Sequence, residues 1–83
     1  MEQLDLTRRQ LQILRMMRDN DEELVYSKGQ AYVDYEQVAP RTVFALLRAM
    51  AISMDQFSDV GKCERYTINE TGLKLLEEAD AAA

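Results

Sequence analysis

The sequence has no histidine and no tryptophan, and only one cysteine, one proline and three glycines among its 83 residues. Each shortage excludes something. Without histidine, the side chain that most often serves as general base or metal ligand near neutral pH is missing. The lone Cys63 has no partner for an internal disulfide and no histidine to activate it, so it reads as a small structural side chain. Gly29, Gly61 and Gly72 stand apart, which rules out a glycine-rich phosphate loop. The acids from Asp19 to Glu23 lack the spaced ligands and glycine of a calcium loop. No run approaches the ~20 apolar residues of a membrane-spanning helix. The start, Met1-Glu2-Gln3-Leu4-Asp5, is acidic and has no signal-peptide core. The expectation is a cytoplasmic protein that is not an enzyme, holds no metal or cofactor and does not enter a membrane.

What is present suffices for one folded domain. Apolar residues make up 47% of the chain and charged ones 30%, ordinary values for a globular fold, so a net charge of −5 does not signal disorder. The whole of 1–83 reads as a single domain with a fraying acidic and alanine-rich tail at about 79–83. The charge is unevenly placed: −4 over residues 21–37 and −3 over 69–83, against +1 over 38–68.

Thr7 and Gln10 form the T-x-x-Q pattern of a capping box, with Leu6 and Leu11 at the spacing of a hydrophobic staple. The helix that follows runs to about Arg18. Its apolar positions, including Leu11, Ile13, Met16 and Met17, cover more than half its circumference, wider than one small core requires. That surplus points either to a homodimer interface on those four residues or to a scatter of exposed methionines. From Leu24 to Val33, two apolar runs flank a glycine-containing turn, read as a hairpin or as one strand and a loop. Pro40 suits the first turn of a helix spanning 40–51. Its buried face is expected on Val43, Leu46, Leu47 and Met50, widened by Phe44 and Ala51. The other face carries Arg41, Thr42, Ala45, Arg48 and Ala49, with no acidic residue. Two extended runs, 52–57 and 63–68, enclose a polar turn, and Asn69 caps a last helix.

Two stretches carry a family resemblance. Val38-Ala39-Pro40-Arg41-Thr42-Val43-x-x-Leu46-Leu47, followed by Ile52, resembles the second half of a helix-turn-helix. Tyr66-Thr67-Ile68-Asn69-Glu70-Thr71-Gly72-Leu73-x-x-Leu76 is similar to the ending of many small bacterial and phage winged-helix proteins, with Asn69 where threonine is usual. The resemblance spans roughly residues 7–78. It implies an α+β, mainly α fold: a winged helix-turn-helix with a C-terminal β-hairpin wing over 52–68 and a terminal helix. The first helix of the motif falls on Asp34 to Val38, where there is room for barely one turn.

That resemblance implies a small transcriptional regulator that binds double-stranded DNA. Arg41 and Arg48 would reach phosphate or guanine edges and Thr42 would bond phosphate. Ala45 would admit close approach, and Lys62 and Arg65 on the wing would add backbone contacts. The alternative belongs to another class: a protein-interaction module, or a phage-type inhibitor of host machinery, that meets its partner through the acidic surface at 21–36. Charge segregation leaves both open, because +1 over 38–68 is thin for binding that scales with the phosphates neutralised.

Overall fold

The computed structural model describes residues 6–82, so the acidic start at 1–5 and the terminal Ala83 lie outside the described residues. Helix α1, Arg8–Asp19, begins at the expected capping box: the Gln10 amide donates to Thr7 Oγ1 at 3.2 Å and the Thr7 amide to Gln10 Oε1 at 3.0 Å. Five antiparallel strands and two more helices follow: β1 Leu24–Ser27, β2 Gln30–Val33, β3 Glu36–Val38, α2 Pro40–Arg48, β4 Ile52–Ser58, β5 Cys63–Ile68 and α3 Glu70–Ala82. The sheet order is β3-β2-β1-β5-β4.

This architecture corrects the winged-helix expectation. The chain between β1 and α2 is a three-stranded meander, and β3 occupies the place of the first helix of a helix-turn-helix. Lys28-Gly29 and Asp34-Tyr35 each turn the chain in two residues, all four at positive φ (52°, 78°, 51° and 68°), the backbone of a tight β-hairpin. The hairpin β4–β5 is likewise no terminal wing, since β5 pairs with β1 and the hairpin completes a five-stranded sheet. Arg9 of α1 fastens the short β3 edge, donating to Glu36 Oε2 at 2.6 Å and to the Gln37 carbonyl at 3.1 Å.

One face of the sheet builds the core. Leu24, Ala31, Val33, Val38, Ile52 and Tyr66 alternate inward and cluster with Ile13, Leu14 and Met17 of α1, Val43 and Leu46 of α2 and Leu76 of α3. The width of α1 is thereby used within the chain. Ile13 and Met17 are 0% and 2% exposed, and Leu11 and Met16 pack half-buried on the same core. Of the four residues expected at a dimer interface, Ile13 and Met17 are thus buried within the chain, while Leu11 and Met16 keep part of their surface exposed.

Helix α2 stops three residues before the expected end. The Met50 amide donates to the Leu47 carbonyl and the Ala51 amide to the Leu46 carbonyl, both at 3.0 Å, with Met50 at φ 59°. This is a Schellman closure, built without the glycine that usually occupies the left-handed position. Its consequence is that Met50 leaves the helical stripe and stands exposed. The buried arc is turned toward Thr42, Val43, Leu46 and Ala49, leaving Phe44 at the rim, edge-on to Tyr26 with ring centroids 5.9 Å apart. At the other end, α3 runs through Ala82. Asp80 accepts from Arg15 of α1 at 2.6 Å, and that bond holds its carboxyl below the usual carboxylate range.

Tyr66 is the one buried phenol among the described residues, with its hydroxyl donating to Glu64 Oε1 at 2.5 Å. Burial first, and that carboxylate second, push its pKa from 10.0 up to about 12. The unfolded chain therefore loses this proton before the folded chain does, so stability is expected to fall as pH rises from 10.0 toward 12. Urea unfolding across that interval checks it. Tyr66→Phe is expected to make the fall shallower; an equally steep fall in that variant contradicts the assignment.

Candidate functional site

The face of the sheet away from the helices carries the other parity of each strand: Val25 on β1, Tyr32 on β2, and Arg65 and Thr67 on β5, none of them buried. Register places Tyr32, Val25 and Arg65 in one row across three strands. The loop that enters β1 and the turn that leaves β2 rise around the end of this face, because Leu24 pairs with Val33 and puts residues 21–23 beside Asp34. Together they form an open concavity of about 950 Å³, with Val25, Tyr32 and Thr67 from the open face in its floor and Met17 of α1 and Ile68 of β5 reaching it from the core side at the end of the sheet.

The rim is acidic. Asp21, Glu22, Glu23 and Asp34 line it, with Arg65 as the only cation among the described residues, and Arg65 Nη1 donates to Glu23 Oε1 at 3.2 Å. Asp21 and Glu22 make no side-chain ion pair or hydrogen bond among the described residues, and Asp34 receives only a 3.5 Å contact from Asn20 Nδ2. Three carboxylates therefore face the concavity without a counter-cation. No group of three histidine, cysteine or acidic side chains converges closely enough to hold a metal ion among the described residues.

Tyr35 stands on the same rim, 98% exposed and at φ 68°. A left-handed conformation costs a residue of this shape roughly 1–2 kcal/mol, which glycine or asparagine would avoid. The turn thus presents an aromatic side chain at the edge of the concavity at some cost to the fold.

The six residues expected on one DNA-facing surface are divided by the structure. Arg41 and Arg48 are exposed on α2, with Ala45 half-buried between them. Thr42 is 8% exposed and packs inward with Val43, so its hydroxyl is not on that face. Lys62 is exposed in the β4–β5 turn. Arg65 lies on the opposite side of the sheet from α2, because Tyr66 is the residue of that pair that points into the core under the helices. Of the acidic segment, Asp21 to Glu23 and Asp34 converge at the concavity, while Glu36 is taken by Arg9.

Sequence reasoning did not find Val25, Tyr32, Tyr35 and Thr67 as site residues. The signal available was the alternation of Tyr32 and Val25 with buried neighbours, which separates the two faces once a strand is granted. Compared with known proteins, the chain matches no family model, no curated protein and no solved structure.

Proposed function

We propose that this chain is a protein-interaction module that docks a basic segment of a partner polypeptide on the open face of its sheet. The observation that carries the reading is the concavity itself: an apolar and aromatic floor within a rim where three carboxylates lack counter-cations. A partner's lysine or arginine stems would cover Val25 and Tyr32 while their charged ends meet Asp21, Glu22 and Asp34. Arg65 on Glu23 is an internal example of the same pairing. Binding rather than catalysis, a cytoplasmic address and a role as a small inhibitor or assembly subunit belong to this proposal. Among the described residues, no helix is long and apolar enough to cross a membrane.

The DNA reading loses support from the division of its residues, since Thr42 is buried and Arg65 faces away from Arg41 and Arg48. Fluorescence polarisation separates the two. The expected result is binding of a labelled lysine- and arginine-rich peptide that weakens as salt rises, with no binding of a random-sequence duplex under the same conditions. Binding of the duplex without the peptide overturns the proposal in favour of DNA.

A further inference from the structure

The chain carries, on the far side of its sheet, a surface that complements the concavity. Arg41, Phe44 and Arg48 stand at i, i+3 and i+7 on α2 and form one exposed stripe. Neither arginine makes an ion pair or side-chain hydrogen bond among the described residues. Phe44 is 44% exposed between them, and Ala45 beside it is small enough to admit a close neighbour. At 1.5 Å per residue the two arginines stand about 10 Å apart along the helix. The two surfaces are complementary in chemistry: two unpaired guanidiniums flank an aromatic ring on one, and three uncompensated carboxylates stand beside an apolar floor on the other.

We infer that the occupant of the concavity includes a second copy of this chain, docked through the Arg41–Phe44–Arg48 stripe of α2. The inference rests on the reading of the concavity as a site for basic polypeptide. Phe44 of one copy lies on Val25 and Tyr32 of the next, with Arg41 and Arg48 against Asp21, Glu22 and Asp34. Because stripe and concavity are on opposite faces of the sheet, one chain cannot satisfy itself. Nor does a single contact close on itself, because each docking leaves a free stripe at one end and a free concavity at the other. The assembly is head-to-tail and grows with concentration. Its charge pairs are exposed, so added salt dissolves it.

Sedimentation velocity of the full chain, from tens to hundreds of micromolar at low salt, tests this with two variants. Arg41→Glu/Arg48→Gln removes the stripe and leaves the concavity. Glu22→Lys/Asp34→Asn spoils the concavity and leaves the stripe, with asparagine keeping the left-handed turn. The expected result is a wild-type mean mass that at least doubles across the range, while each variant alone stays monomeric. Mixed, the variants are expected to form a one-to-one complex, since each supplies the surface the other lacks and growth stops there. A wild-type chain that stays monomeric, or oligomers that persist in either variant, overturn the inference. If the wild type is monomeric and the basic peptide still binds, the inference fails while the reading beneath it stands.

Discussion

Replacing Gly72 by alanine is expected to destabilise the fold by roughly 3 kcal/mol, at the upper end of what overpacking costs. A Cβ at this position would lie 2.3 Å from the Ala51 carbonyl oxygen and 2.7 Å from Ile68 Cγ1. The nearer atom belongs to the backbone and cannot rotate aside. It is also engaged, because the Asn69 amide donates to that carbonyl at 3.2 Å. Asn69 then caps α3 by accepting from the Gly72 amide at 2.9 Å and ties it to β4 by donating to Ser53 Oγ at 2.8 Å. The start of β4, the end of β5 and the first turn of α3 meet at one point, and a methyl group there drives them apart. For a domain of this size the loss corresponds to a fall in Tm of about 10–20 °C. Gly29→Ala is the informative control. Nothing lies within 4 Å of its added Cβ, so it is expected to cost only the roughly 1 kcal/mol of a left-handed backbone at φ 78°. Thermal melts of both variants check the contrast. Equal, small losses contradict the account of the junction.

The second large effect concerns binding. Glu22→Lys/Asp34→Asn changes the charge of the concavity by three units without touching the core, since both residues lie outside it. Exposed pairs contribute about 0.2–1 kcal/mol each. Three units together are worth roughly 2 kcal/mol, about a 30-fold loss of affinity for a basic peptide. Tm is expected to stay within a few degrees of wild type. Isothermal titration calorimetry at low salt measures the affinity. An unchanged affinity in this variant removes the carboxylates from the site.

How much of this was legible in the sequence differs from element to element. The capping box at Thr7, the entry of α2 at Pro40 and the Asn69 cap of α3 were all readable, because each depends on neighbours within four residues. Strand β3 was not. Its turn uses Asp34-Tyr35 where asparagine-glycine would have announced a hairpin, and a three-residue strand has too few positions to show alternation. The helix-turn-helix resemblance then filled the gap with a helix. Thr42 was misplaced for a different reason. Periodicity located the apolar arc of α2, but the sheet beneath it decides which edge of that arc is covered, and here it covers Thr42 and leaves Phe44 at the rim.

The concavity shows the same division. Its acidity was visible as the −4 of residues 21–37. Its floor was not, because Val25 and Thr67 meet only through the pairing of β1 with β5, about 40 residues apart in the chain. The position of Arg65 turns on that pairing as well. Alternation set it opposite Tyr66, yet only the packing of α2 on the Tyr66 side shows that Arg65 faces away from Arg41 and Arg48.

Amide chemical shifts recorded while a lysine- and arginine-rich peptide is added, at a concentration where the chain is monomeric, locate the binding surface. The perturbed amides are expected to cluster at Asp21 to Val25, Tyr32 to Tyr35 and Arg65 to Thr67, with Arg41 to Arg48 and Lys62 unmoved. Shifts confined to α2 and the β4–β5 turn, with the open sheet face silent, would contradict the proposed site.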